Sequence, residues 1–429
     1  MKATHSRLLA TGFLFVSIHA APPLQAEAVN LITNGTFDTS VDGWRNRNPE
    51  VNSIEWSSVD SRGSILSGSG LAGNGATSAN SSAFISQCVA VSPNTSYYLS
   101  GKTRRPAGQD RTGNHGIILF AYAQESCAGD AIGAEQLSST NETERWTSLP
   151  FTTYLTPAGT KSIDTILFIG KTEAGGKLVY AFDSVALVAS TPATLTIPTS
   201  ASIHGNNDAF FHSDLWVMNR AYAGTQTITA RYRCFTGQSC ASTTKTFALD
   251  PRASTLYADV VGTLFQAPET AGAIELSYDS ALGEVSATSR VYTPSQPLPT
   301  SGSAIPASSA SDARARTLFL GLGASGGDLS AGFRSNAGAY NPGATEVPVT
   351  FTLHSATGAV LGNPLTRTWG PNEAFQISNI FGAVGASSDV TTNAYLVVTS
   401  TTPIFAFVTV IDNQSGDSIY VAPNRDEAP

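Results

Sequence analysis

The chain has 429 residues, of which 41% are hydrophobic, 9% aromatic and 13% charged, with 38 Gly and 22 Pro. That balance fills more than one packed core and excludes a disordered chain, a helical bundle and a coiled coil. Lys plus Arg number 24 against 32 Asp plus Glu, a formal charge of −8, so the basic surplus that holds a phosphate backbone is missing and no nucleic-acid partner is expected. Abundant Thr, Ser, Val, Gly and Asn describe short strands joined by turns, and the fold class expected is all-β.

The chain opens with Lys2 and Arg7, an apolar run from Leu8 to Ile18, and small residues around Ala20, Ala26 and Ala28. This is the plan of a secretory signal over residues 1–28, with cleavage after Ala28 or Ala26. The run is shorter than the roughly 20 apolar residues of a membrane span. The expected product is therefore secreted, periplasmic or displayed at the cell surface, with no membrane span after cleavage.

From residue 29 to 190 short runs alternate apolar and polar residues, among them Ala83–Val89, Ser96–Ser100, Gly116–Tyr122, Ser162–Ile169 and Val179–Val188. Period-two runs punctuated by Asn, Gly, Pro and Ser are strands of an antiparallel sandwich. Beyond a Thr/Pro/Ser-rich boundary near residues 190–200, a weak repeat recurs at an offset of about 120 residues. Leu215–Arg220 aligns with Ala337–Pro342, Leu256–Gly262 with Gln376–Gly382, and Ala273–Leu276 with Ala394–Val397. Two tandem β-sandwich domains are expected, 191–297 and 316–429, separated by a linker at 298–315 that is rich in Pro, Ser and Ala.

Four cysteines in an exported chain are expected as bridges. They allow three pairings, and Cys88 with Cys127 and Cys234 with Cys240 keeps each bridge inside one proposed domain. Two glycine motifs overlap at Gly321–Gly327, one of dinucleotide type and one of hydrolase type. Both mechanisms need a helix immediately afterwards, and the sequence there alternates and turns. His204, Asp208, His212 and Asp214 form the densest metal-capable cluster, in a context that reads as a turn. No catalytic residue is assigned, and the chain is read as a non-enzyme.

Asn30-Leu31-Ile32-Thr33-Asn34-Gly35-Thr36-Phe37-Asp38, followed by Gly43-Trp44, resembles the opening of carbohydrate-binding modules of families 4 and 9. Tyr97–Gly101, Trp146 to Thr152 and Ala181–Leu187 resemble later strands of those modules, in the same order. The resemblance implies a galactose-binding-like jelly roll over 29–190 that binds a polysaccharide or oligosaccharide without cleaving it. Sugar rings offer flat C–H faces to aromatic rings and hydroxyls to polar side chains. The ligand-contacting residues expected are Trp56, Tyr97, Tyr122 and Trp146 with Arg104, Arg105 and Gln109, while Trp44 belongs to the core. Because neighbours in a strand point to opposite faces, at most one of Tyr97 and Tyr98 reaches a ligand. The resemblance also implies a structural calcium at Asp38 and Asp183. The C-terminal pair is similar to uncharacterised sandwich repeats of exported bacterial proteins. The alternatives are a structural or adhesive surface protein that contacts a cell-surface protein partner, and a cryptic glycoside hydrolase.

Overall fold

The computed structural model describes residues 29–140, 143–206, 209–221, 224–240, 243–293, 302–325, 331–386 and 393–425. The signal segment at 1–28, Asp208 and residues 298–301 of the expected linker lie outside them. The protein is all-β, with one short α-helix, Ile380–Ala383, among the described residues. No helix among the described residues is long and apolar enough to cross a membrane.

The N-terminal unit is a jelly-roll sandwich of two antiparallel sheets. One sheet has the order Arg45–Asn46, Ser81–Ala90, Ser162–Lys171, Gly113–Tyr122, Ala131–Ser139. The other has the order Asn52–Ser57, Ser69–Asn74, Leu178–Ala189, Ser96–Arg104, with Thr147–Ser148 and Thr152–Leu155 both pairing the last strand. The core between the sheets holds Ile85, Leu99, Ile117, Leu119, Leu167 and Phe182, each contributing about 1.5–3 kcal/mol by leaving water. Trp44 is in this core as expected, stacked on Phe37 at 5.6 Å. Ser162–Lys171 is buried along its whole length, because it is the middle strand and both of its faces are covered. This explains its nearly continuous apolar run.

The two C-terminal units share a strand order. Thr243–Leu249, Gln226–Cys234, Thr270–Asp279 and Pro192–His204 lie side by side in the first; Leu365–Trp369, Val347–His354, Ala394–Asp412 and Arg314–Leu322 do so in the second. In the opposing sheets Phe210–Asn219 pairs with Ser254–Tyr257 and Val285–Tyr292, as Phe333–Tyr340 pairs with Ala374–Ile377 and the far half of Ala394–Asp412. The aligned sequence blocks begin in equivalent strands, and one long strand of the second repeat does the work of two in the first.

The expected linker is not a free spacer where it is described. Ser303–Pro306 pairs with Val285–Tyr292, and Ser308–Ser309 pairs with Pro192–His204, so both belong to the first repeat. Backbone groups that find sheet partners gain hydrogen bonds a solvated linker would leave to water. The repeats also pack on each other through Phe211, Phe235, Ala273, Tyr340, Phe405 and Phe407.

Both expected disulfides are formed, Cys88–Cys127 and Cys234–Cys240. The first spans from the strand Ser81–Ala90 to the loop after Gly113–Tyr122, across the end of the strand between them. There Ser162 Oγ donates to Gln124 O and accepts from Cys127 N.

Candidate functional site

Alternation gives the first sheet a second face. Because Ile85, Ile117, Leu119, Ile163 and Leu167 point into the core, Phe84 and Ser86, Ile118, Phe120 and Tyr122, and Asp164, Ile166 and Phe168 point away from it. Register puts Phe168 opposite Phe84 on one neighbouring strand and opposite Gly116 on the other. A Cβ at Gly116 would come within 2.9 Å of the Phe168 ring, so glycine there lets the ring lie flat across the sheet. Asp164 is opposite Phe120, and Ser162 is opposite Tyr122. The rings of Phe84, Phe120 and Tyr122 are half-buried, with an apolar side packed on the sheet and the remainder accessible.

Polar groups sit among these rings. Arg47, from just past the edge strand Arg45–Asn46, reaches over the sheet to the Asp164 carboxylate and donates through Nε to Ser86 Oγ at 3.2 Å. The charge of the guanidinium is matched by Asp164, which is itself buried. Gln136 and Ser138 extend the face on the next strand, opposite Ile118 and Gly116. Rings with half-accessible surfaces, beside a matched charge pair and amide or hydroxyl groups, can stack on C–H surfaces and exchange hydrogen bonds with hydroxyls.

Of the ligand-contacting residues expected from sequence, Tyr122 alone lies on this face. Tyr97 is a correction. It is 3% exposed, in the core, and its hydroxyl accepts the Ser92 N–H at 2.8 Å; the inward phase of its strand buries it together with Leu99. Tyr98 takes the outward phase, where it stacks on Phe151 at 5.4 Å and donates to Asp279 of the first repeat at 2.8 Å. Burial and the Asp279 carboxylate push the Tyr98 hydroxyl up to about 12. Tyr98 thus ties the N-terminal sandwich to the first repeat.

Trp56 is 41% exposed but stands on an edge strand of the other sheet, its indole N–H donating to Phe37 O at 2.8 Å. Trp146 is half-buried, and its buried indole nitrogen has no hydrogen-bond partner among the described residues. Arg104 donates to Glu144 O, Arg105 to Gln109 O and Arg111 O, and Gln109 exchanges hydrogen bonds with the backbone of Val179. These three brace the end of the sandwich. Sequence reasoning missed Phe84, Phe120, Phe168, Arg47 and Asp164. Alternation groups them with their neighbours two positions away, but it does not say which of the two faces of the sheet is covered.

The donor set does not fit calcium. Asp183 is 1% exposed, and its two oxygens accept N–H groups from Ser61 and Ser184. It stands where its strand bulges and Ser184 takes a φ of 52°. Asp38 is exposed and accepts from Ser67 Oγ at 3.1 Å. N–H donors serve a carboxylate, whereas calcium needs six to eight oxygen ligands. Among the described residues no group of three or more His, Cys, Asp or Glu gathers. The histidine cluster is divided, His204 facing Glu269 at 2.8 Å and His212 facing Asp259 at 3.3 Å. Asp214 meets Arg290 at 3.1 Å. Ser325 of the overlapping glycine motifs is bonded across to Phe333, in a link between two strands.

No family model and no curated protein sequence matches the chain. Among the solved structures similar to its N-terminal part are carbohydrate-binding modules, beside parts of a GH51 α-L-arabinofuranosidase and of a bacteriophage tailspike protein. A family 16 carbohydrate-binding module is 22% identical over 37% of this chain and 99% of its own, with a TM-score of 0.27. The CBM22-2 xylan-binding domain of Xyn10C from Paenibacillus barcinonensis is 12% identical over 36% of this chain and 95% of its own, with a TM-score of 0.26. A CBM4 structure is 17% identical over 37% and 99%, with a TM-score of 0.23.

Proposed function

We propose that this is an exported, non-catalytic carbohydrate-binding protein that holds a glycan against the outer face of the five-stranded sheet of its N-terminal sandwich. The observation that carries this reading is the row of Phe84, Phe120 and Tyr122, half-accessible and placed by register around the Arg47–Asp164 pair. Aromatic rings supply stacking area for a sugar ring, and a matched charge pair supplies donors and acceptors without a net field. Neutral polysaccharide or oligosaccharide is the substrate class this favours, with the C-terminal repeats acting as the body that carries the module.

The test is a glycan array probed with the full mature chain and with Phe120→Ala. Each well-stacked ring contributes about 0.5–1.5 kcal/mol beyond its buried area, so the variant should bind about tenfold more weakly while its unfolding transition stays in place. An array on which no glycan is retained would sink the proposal.

A second reading, adhesion to a cell-surface protein, is favoured by one feature. In the loop between Asn52–Ser57 and Ser69–Asn74, Ile65 and Leu66 are 96% and 82% exposed, more apolar surface than a solvated turn needs. Ile65→Ser combined with Leu66→Ser should leave glycan binding intact and abolish adhesion if that loop makes the contact.

A further inference from the structure

Where the two repeats meet, the packing opens into a cavity of about 510 Å³, within the range of small-molecule sites. The strand Phe333–Tyr340 creates it by alternation. Ala337 and Ala339 face the core of the second repeat, so Arg334, Asn336 and Tyr340 face the first. Tyr340 closes one part of that contact by donating to Glu275 at 2.7 Å. At the other end Arg334 and Asn336 line open space, faced by Phe211 and Phe235 of the first repeat.

Arg334 is 7% exposed. Its Nη1 donates to Asn413, whose amide in turn donates to Ala331 O at 3.0 Å, so the guanidinium is held from behind. Among the described residues its Nε and Nη2 have no hydrogen-bond partner, and no Asp or Glu lines the cavity. Burial pushes its pKa below the usual arginine value. A guanidinium stays charged in proteins, and a buried charge without a counter-charge is strongly unfavourable. The free Nε–Nη2 edge is the fork that matches a carboxylate with two parallel hydrogen bonds.

The neighbours narrow the ligand further. Asn336 accepts the Asn379 N–H through Oδ1 at 3.0 Å, which leaves its NH2 as a second donor beside Arg334. Gln376 and Thr409 add hydrogen-bonding groups, and Phe235 and Phe211 supply an apolar wall. A fatty acid would leave those amides unpaired. Inorganic phosphate would leave most of the volume empty.

We propose that the cavity between the repeats binds a carboxylate-bearing sugar, a uronic acid as free residue or chain end. The carboxylate rests on the Nε–Nη2 edge of Arg334, ring hydroxyls meet the amides of Asn336 and Gln376, and one C–H face lies toward Phe235. This site is separate from the aromatic face of the N-terminal sandwich and does not depend on it.

Calorimetric titration of the full mature chain tests it, with D-galacturonate, D-glucuronate and digalacturonate set against glucose, galactose and inorganic phosphate. The acidic sugars should bind at least about tenfold more tightly than the neutral sugars and phosphate, the factor expected for hydrogen bonds to a buried charged group. Arg334→Gln should lose about ten- to a hundredfold in affinity for the acidic sugars. Arg334→Lys, which keeps the charge without the fork, should lose nearly as much, and melting curves without ligand establish that each variant is folded. Phe120→Ala should titrate like the wild type, so failure of the N-terminal reading and failure of this one show up in different variants. Failure of every acidic sugar to bind, neutral sugars or phosphate binding equally well, or full affinity in both folded Arg334 variants would each overturn the proposal.

Discussion

Arg47 and Arg334 sit in two regions that handle the same side chain differently. Arg47 crosses the open face of the N-terminal sandwich and meets Asp164. Arg334 is enclosed between two repeats, where one asparagine holds it and, among the described residues, no carboxylate lines the space. On an open face water and a partner charge satisfy the guanidinium, so the region is close to neutral toward a ligand. In a cavity formed by packing one unit on another, solvent is mostly removed and the charge waits for its complement. The lesson is that a basic residue announces an anionic ligand only when both its burial and its missing counter-charge are known.

The largest test separates the two regions by pH. His115 lies in the core of the N-terminal sandwich, stacked on Tyr180 at 3.8 Å, with Nε2 paired to Thr103 Oγ1 at 2.9 Å. Burial pulls its pKa down to about 4 from 6.5. The unfolded chain therefore takes up a proton first as pH falls. Stability is complete above about 6.5 and declines toward pH 4, by about 3 kcal/mol in all. Acid titration followed by melting should unfold the N-terminal sandwich before the repeats, and His115→Gln should flatten that dependence. A first transition that belongs to the repeats, or one unmoved by His115→Gln, would contradict this assignment.

A smaller effect sharpens the contrast through the bridges. Cys234–Cys240 closes the turn that carries Phe235, Thr236 and Gln238 to the cavity, and Thr236 N donates to Ala374 O of the second repeat at 2.9 Å. Replacing both cysteines by serine should loosen that wall and weaken acidic-sugar binding by about tenfold or less, equivalent to roughly 1.4 kcal/mol. Binding at the aromatic face should be unchanged, and equal losses at both sites would erase the distinction. The smallest expected effect is that of a chelator. Because N–H groups already occupy Asp183, EDTA should leave the melting temperature where it is; a clear drop would restore calcium to Asp38 and Asp183.

Much of the scaffold was legible beforehand. Trp44 was placed in the core, both disulfides were paired, and the repeat blocks fell on equivalent strands. The candidate face was legible only through Tyr122. Trp56, Trp146 and Tyr97 drew attention as large aromatics; the inward phase removes Tyr97, while Trp56 and Trp146 stand by the other sheet, away from this face. Phe84, Phe120 and Phe168 were not singled out, since an apolar residue in an alternating run carries no mark of which side of the sheet it takes. The repeat cavity had no sequence signal, because Arg334 and Phe235 lie about 100 residues apart in the chain and meet only when two sandwiches pack.

The sequence by itself determined the all-β class and the alternating strands, because alternation and turn residues act over a few neighbouring positions. Tertiary structure alone decided which phase is covered, which charges find partners and where two units leave a gap. Those outcomes depend on distance and exclusion of water between segments far apart along the chain, and no local pattern encodes them.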